Sequence, residues 1–79
     1  MALGRKAKET VNVVEQLLRG VDGVESWEWE TKRKHLRCYI QLPRERFFVV
    51  MSMTASDARA RLNQIGDVRR ELRRRGVEL

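Results

Sequence analysis

The sequence predicts an α+β domain in which one helix, three antiparallel strands and a second helix follow each other along the chain. Three observations support this order: helical spacing of apolar residues at both ends, strict alternation over three central stretches, and apolar residues that match across both connecting loops. The 79 residues are expected to form one domain, residues 1–79, with a single core. A core of that size places any functional site on the surface.

The first helix is predicted to run from about Leu3 or Gly4 to Arg19. Apolar residues recur at helical spacing on one side and charged residues fill the other. The predicted buried residues are Ala7, Val11, Val14, Leu17 and Leu18. Gly20 is a natural helix end, and a tight connection is expected over residues 21–23 because glycine adopts backbone angles that other residues avoid.

Alternation predicts strands from Glu25 to Glu30, from His35 to Leu42 and from Phe47 to Met53. Four-residue loops at 31–34 and 43–46 give a register in which apolar residues face apolar residues and acids face bases. The predicted pairs are Glu30 with His35, Trp29 with Leu36, Glu28 with Arg37, Trp27 with Cys38, Leu42 with Phe47, Ile40 with Val49, Cys38 with Met51, and Leu36 with Met53. Both tryptophans are therefore predicted to face the core.

The last helix is predicted to begin at a cap formed by Thr54 and Asp57 and to end at Gly76. Its predicted buried stripe is Ala58, Leu62, Ile65, Val68 or Arg69, and Leu72. Its predicted exposed arginines are Arg59, Arg61, Arg70, Arg73 and Arg74, and Arg75 is a further candidate for the exposed side. Gly66 in mid-helix indicates close packing on the bulky sheet face, with a tryptophan as the suggested neighbour. Both helices are predicted to cover the one apolar face of the sheet.

Composition indicates a polyanionic partner. The chain has 17 Lys and Arg against 11 Asp and Glu, and its isoelectric point is near 10.4, which favours nucleic acid but leaves anionic membrane and acidic proteins open. The single cysteine, Cys38, is predicted to be a reduced core residue, so no disulfide, metal or cofactor is expected. No apolar run is long enough to span a bilayer and the first 19 residues have the pattern of an amphipathic helix, so we expect a cytoplasmic protein.

The polar side of the middle strand carries His35, Arg37, Tyr39 and Gln41. On the same side of the third strand the pattern places Phe48 and Val50. Two interpretations stay open for these apolar residues: ordinary surface exposure, or a contact patch for a second copy of the chain or for unstacked bases.

The order of elements, with a histidine at the start of the middle strand, resembles the HicA-type toxins, small messenger-RNA-cleaving proteins with a fold like the double-stranded-RNA-binding domain. The chain also looks like short prophage-encoded relatives of these toxins. The matching segments are Lys34-His35-Leu36-Arg37, Ser52-Met53-Thr54-Ala55-Ser56-Asp57 and Asp67-Val68-Arg69-Arg70. The toxins' usual Gly-Ser before the histidine is Arg33-Lys34 in this chain. The resemblance implies an RNA partner in a bacterial host cell and an acidic antitoxin protein.

The resemblance also implies a metal-independent endoribonuclease. Cleaving RNA through its own 2′-hydroxyl needs a base, an acid and cations near the phosphorus. His35 would be the base and Arg37 the charge stabiliser, with water, Tyr39 or the recycled His35 as the acid. Lys32, Arg33 and Lys34 would hold the strand. Glu30, opposite His35 in the predicted register, is expected to favour the protonated imidazole and to orient or neutralise it.

Further nucleic-acid contacts are predicted at Tyr39, Arg70, Arg73 and Arg74. The competing interpretations are a solvated strand-end His35 and a helix face whose arginines pair with Asp67 and Glu71. Three functions therefore stay open: a toxin-type ribonuclease, a non-catalytic phage accessory protein that binds RNA or DNA, and a protein-interaction or inhibitor module. The protein-interaction or inhibitor module would use the open sheet face, and a homodimer would form through the same face.

Overall fold

A computed structural model describes residues 5–33, 35–52 and 58–78. The elements are α1 (Arg5–Arg19), β1 (Ser26–Lys32), β2 (His35–Gln41), β3 (Arg46–Ser52) and α2 (Ala58–Arg74). The strands form one antiparallel sheet in the order β1-β2-β3. The predicted α+β class and order of elements are confirmed, while the predicted helix cap at Thr54 and Asp57 lies outside the described residues.

One hydrophobic cluster joins both helices to one face of the sheet. Its largest fully buried members are Val14 and Leu18 of α1, Leu36, Cys38 and Ile40 of β2, and Val68 and Leu72 of α2. Strand residues at alternate positions share a face, which is why β2 is buried at every second position. The coverage of this face by both helices stays a prediction, and the shared cluster is what that arrangement leads us to expect.

The first hairpin is tighter than predicted. Lys32 pairs with His35 and Glu30 pairs with Arg37, so only two residues of the chain separate the paired strands. The predicted pairing of Glu30 with His35 is therefore wrong by two residues. A shift of two leaves every side chain on the same face, so the alternating pattern fits both registers, and two-residue turns are the commoner hairpin connection.

The second hairpin is shifted by two residues as well. Gln41 pairs with Arg46 around a loop at 42–45, which is closed by a hydrogen bond from the Leu42 amide to the Glu45 carbonyl at 2.8 Å. The Gln41 side-chain amide also donates to the Leu42 carbonyl oxygen at 2.7 Å. The pairs on the core face are Thr31 with Leu36, Trp29 with Cys38, Trp27 with Ile40, Leu36 with Met51, Cys38 with Val49, and Ile40 with Phe47.

Both tryptophans lie on the core side of β1, as predicted, and contact α1. The indole N–H groups of Trp27 and Trp29 both donate to Oε2 of Glu15, at 3.0 Å and 2.9 Å. The two residues are half-buried and pack against the core. Because a buried indole N–H needs an acceptor, this one carboxylate lets the edge strand cover the core with two large aromatic side chains.

Burial of α2 is concentrated in its second half. Val68 and Leu72 are fully buried, whereas Leu62 is 67% exposed, so the prediction that Leu62 is buried is wrong. The choice between Val68 and Arg69 is resolved in favour of Val68, since Arg69 is exposed. A helical stripe shows which side of a helix is apolar but not how far along the helix there is a surface to cover it.

The two glycines of the last helix region have different environments. Gly76 ends α2 as predicted: its φ is +84°, its amide donates to the Arg73 carbonyl, and the Val77 amide donates to the Leu72 carbonyl, which is the Schellman pattern. At Gly66, a Cβ would meet no atom within 4 Å. The predicted close packing of Gly66 on the sheet is therefore wrong.

Candidate nucleic-acid interface

The sheet face opposite the core carries the polar and exposed strand residues, and we call it the open face. Its residues are Glu28, Glu30 and Lys32 of β1, His35, Arg37, Tyr39 and Gln41 of β2, and Arg46, Phe48 and Val50 of β3. Directly paired residues of antiparallel strands point to the same face. The register therefore determines which of these side chains become neighbours.

A shallow groove of about 340 Å³ lies at the hairpin end of the open face, and we call it the basic groove. It is lined by Lys32, Arg33, His35, Arg37 and Val50. The tight turn at 33–34 creates this cluster, because it extends both strands until Lys32 and His35 are paired. Four of the site residues predicted from the sequence are thus brought together, while Lys34 lies outside the described residues.

His35 does not interact with the carboxylate that was predicted to orient it. Glu30 Oε1 lies 3.8 Å from Nη1 of Arg37 and accepts a hydrogen bond from the Tyr39 hydroxyl at 3.3 Å. The predicted role of Glu30 beside His35 is therefore wrong, for the same reason as the register. The imidazole is exposed at the strand end, where a substrate hydroxyl can reach it.

Arg37 lies on the same side of β2 as His35. The two residues are separated by about 7 Å along β2, and both line the basic groove. Tyr39 is about 13 Å from His35 along the strand, and its hydroxyl is bonded to Glu30. Tyr39 is therefore too far from His35 to be the acid of the reaction that the resemblance implies, for which water and the recycled imidazole remain as candidates.

Next to the basic groove, the open face carries two aromatic rings and two arginines. The Tyr39 and Phe48 ring centroids are 5.6 Å apart, with the rings inclined at 46°. Cζ of Arg37 lies 5.4 Å from the Phe48 centroid, and Cζ of Arg46 lies 5.1 Å from the Tyr39 centroid. Both distances are within the range of cation–π contacts. Phe48 is half exposed, as is Val50.

Sequence reasoning missed Arg46 as part of this face because it assigned residues 43–46 to a loop. Arg46 Nη2 lies 3.3 Å from Oε2 of Glu28 across the sheet, although β2 stands between their strands. The signal was present, since Arg46 is in alternation with Phe48 and Val50. It was hidden by the proline at position 43, which favours a loop of undefined length.

The predicted arginines of α2 form a separate group. Arg70 pairs with Asp67 at 3.1 Å, and Arg74 pairs with Glu71 at 3.3 Å. Arg73 instead lines a groove with Arg69, a residue that was not among the predicted nucleic-acid contacts, beside the last turn of α1. Arg70 and Arg74 therefore differ from Arg73, because a neighbouring carboxylate offsets part of the positive charge of each.

The end of α2 lies beside the β2–β3 loop, at the opposite end of β2 from His35. Arg75 forms an ion pair with Glu45, and its Cζ lies 3.9 Å from the Phe47 ring centroid. His35 begins β2, and the β2–β3 loop follows its last residue. The structure therefore does not bring Arg73 and Arg74 together with the basic groove.

Cys38 is not a candidate nucleophile. Its thiol is free and fully buried. Burial, together with the charge of Glu15, raises the pKa of Cys38 from 9.0 to about 12, so the reactive thiolate is absent at neutral pH. The prediction of a buried core cysteine is confirmed. Within residues 5–33, 35–52 and 58–78, no group of His, Cys, Asp or Glu is suited to hold a metal ion, and no helix is long and apolar enough to cross a membrane.

Comparison with known proteins finds no similar protein. No family model matches the chain, and neither a curated protein nor a solved structure matches it. The resemblance to HicA-type toxins therefore stays a prediction that rests on three short motifs. Any function must be argued from the chemistry of the open face.

Proposed function

We propose that the protein binds RNA in the basic groove and cleaves it there with His35 as the general base. The observation that carries this proposal is the meeting of Lys32, Arg33, His35 and Arg37 around one depression. Cations hold phosphate groups, and histidine is the side chain that most often serves as a general base. The resemblance to the HicA-type toxins and to the double-stranded-RNA-binding fold supports the same conclusion.

The reaction follows from the two groups closest to the strand end. His35 takes the proton from a ribose 2′-hydroxyl, and the 2′-oxygen attacks the adjacent phosphorus while the bond to the 5′-oxygen of the next nucleotide breaks. Arg37 stabilises the negative charge that builds up on the phosphate oxygens. The protonated His35, or water, then supplies a proton to the leaving 5′-oxygen. Lys32 and Arg33 hold the phosphates on either side.

The same groove suggests how such an enzyme is restrained. A small acidic antitoxin protein that covers the basic groove would compete directly with RNA phosphates. The proposal includes that the protein acts in the cytoplasm of a bacterial host cell, as a phage-encoded toxin. Co-purification of an acidic partner that blocks RNA binding is the observation that supports this part of the proposal.

The decisive experiment distinguishes RNA cleavage from RNA binding. His35→Ala removes the proton acceptor from an exposed strand end, so we expect loss of RNA cleavage and of growth arrest with little change in folding or RNA affinity. The paired variant Lys32→Ala/Arg33→Ala should weaken binding to many RNA sequences alike. It should also lower the slope of log affinity against log salt by about 1.4, because two phosphate contacts are lost.

Three results would change the assignment. Wild-type protein that leaves RNA intact between about pH 6 and pH 8, free of any partner, would indicate a non-catalytic binding module. Equal affinity for DNA and RNA would remove the preference for RNA. No affinity for either at low ionic strength would favour the protein-interaction module, with Phe48, Val50 and Tyr39 as its contact surface.

A further inference from the structure

The open face is chemically divided between its strands. Its two carboxylates, Glu28 and Glu30, both come from β1. The residues that β2 and β3 place on it include no acid. The half of the face toward β3 therefore combines cations with aromatic rings. Its two arginines are paired with the β1 carboxylates, Arg37 with Glu30 at 3.8 Å and Arg46 with Glu28 at 3.3 Å, and a phosphate competes with these exposed ion pairs, which are individually weak.

This half consists of Arg37, Tyr39, Arg46, Phe48 and Val50, and we call it the stacking platform. Each ring has a guanidinium group over it, with Cζ to centroid distances of 5.4 Å and 5.1 Å. A planar guanidinium over a ring takes the position that a planar base takes when it stacks. The Arg37 and Arg46 side chains are 36% and 51% exposed, so both can turn toward a phosphate when a base arrives.

We infer that the stacking platform binds unpaired bases of a single-stranded RNA whose phosphates pass through the basic groove. This inference rests on the function proposed above. The two surfaces are continuous, since Arg37 and Val50 belong to both. Tyr39 is about 13 Å from His35 along β2, so the stacked base and the phosphate at His35 belong to different nucleotides of one strand.

A base inside a duplex is stacked on both of its faces and paired along one edge, so it cannot lie on a protein ring. The platform therefore selects single strands or unpaired loops. Because any base has a flat apolar face, stacking of this kind tolerates many sequences. The predicted substrate is an unstructured stretch of RNA, with affinity set by base stacking as well as by charge.

Charge favours a polyanion over a second copy of the chain on this face. The protein has a formal net charge of +6, so two copies of the chain repel each other, whereas RNA is attracted. Arg37 and Arg46 are already paired with Glu30 and Glu28, and the preference for a polyanion comes from the net charge and from the adjoining basic groove. A single strand of RNA instead offers bases to the rings and phosphates to the arginines.

The test compares three 2′-O-methyl RNA probes, which cannot be cleaved through the 2′-oxygen, by filter binding to the wild-type protein. The probes are a single strand, the same strand in a perfect duplex, and a strand of the same length without bases. We expect the single strand to bind at least about tenfold more tightly than the strand without bases, because stacking contributes about 1–3 kcal/mol per base. The duplex should bind no better than the strand without bases.

Two variants locate the effect on the platform. Phe48→Leu removes a half-exposed ring but keeps an apolar side chain, so it should lower affinity for the single strand by about tenfold and leave the strand without bases unchanged. Tyr39→Leu serves as the second variant if Phe48→Leu fails to fold. Leu62→Ala is the matched control, since it shortens an apolar side chain that is 67% exposed on α2, and it should change neither affinity.

The outcomes distinguish this inference from the proposed function. Equal binding of the strands with and without bases, unaffected by Phe48→Leu, would overturn the stacking platform but leave the basic groove intact. Failure of every probe to bind would overturn both. A wild-type dimer that Phe48→Leu converts to monomers in sedimentation would show that the platform is an interface between copies, and would also overturn the inference.

Discussion

Arg33 combines a structural cost with a proposed role in binding. Its φ is +56°, in the left-handed region where a side chain costs about 1–2 kcal/mol. Glycine occupies this region without that cost. Arg33 also lines the basic groove, so its side chain contributes a positive charge that glycine would not.

We therefore predict opposite effects of Arg33→Gly on stability and binding. The free energy of unfolding should rise by about 1 kcal/mol, because the left-handed strain is relieved, while RNA affinity falls with the loss of one phosphate contact. Urea denaturation and filter binding measure the two quantities. Arg33→Ala is the control: it should weaken binding equally without the gain in stability. A destabilised Arg33→Gly protein would contradict this account of the turn.

The partners of single residues were the least predictable part of the site. Alternation alone placed His35, Arg37 and Tyr39 on the open face. It did not show that Glu30 would bind Arg37 and Tyr39 instead of His35. Neighbours across a sheet depend on register, and a shift of two residues preserves the face while changing every neighbour.

At the scale of elements, α2 offers a matched pair of glycines. A Cβ at Gly66 or at Gly76 meets no atom within 4 Å, so crowding does not distinguish the two sites. Gly66 lies inside the helix, whereas Gly76 has a φ of +84°. The effect of an alanine substitution on the free energy of unfolding should therefore depend, at each position, on the backbone conformation alone.

Gly66→Ala should raise the free energy of unfolding by about 1 kcal/mol, because alanine is the better helix former. Gly76→Ala should lower it by about 1 kcal/mol or more, because the left-handed helix end disfavours a Cβ. Thermal and urea unfolding of the two variants beside the wild type measure both effects. Destabilisation by Gly66→Ala would show that the helix has a close neighbour at this position.

The helices and strands could largely be predicted from the sequence, because the spacing of apolar residues depends on the local backbone geometry. All five were predicted in the right order, and both tryptophans were placed on the core side of the sheet. The extent of burial was not readable, as Leu62 shows: its position on the apolar stripe is correct, but it is 67% exposed. Whether an apolar residue is covered depends on distant parts of the chain.

For the whole molecule, charge is spread over two separate ends. The basic groove lies at the start of β2, and Arg73 lies near the far end of the same strand, where Arg75 contacts Glu45. A seven-residue strand is about 23 Å long. At low salt the fields of both ends extend over this distance, since the screening length is about 30 Å at 0.01 M and only about 8 Å at 0.15 M.

We therefore predict that Arg73→Ala weakens RNA binding by about twofold to threefold at 0.01 M salt and has no measurable effect at 0.15 M. Arg70→Ala and Arg74→Ala should have smaller effects at both salt concentrations, because Asp67 and Glu71 already offset those charges. Filter-binding titrations at the two concentrations measure this difference. A loss for Arg73→Ala that persists at 0.15 M would place a direct RNA contact on α2.

The single carboxylate shared by Trp27 and Trp29 has a practical consequence for studying the protein. The chain has two tryptophans, and both indoles are bound to Glu15 of α1, on the side of the sheet that faces away from the stacking platform. Their intrinsic fluorescence therefore reports whether α1 is docked on β1. Emission should therefore follow unfolding, and it can be recorded in the same sample in which RNA binding is measured by other means.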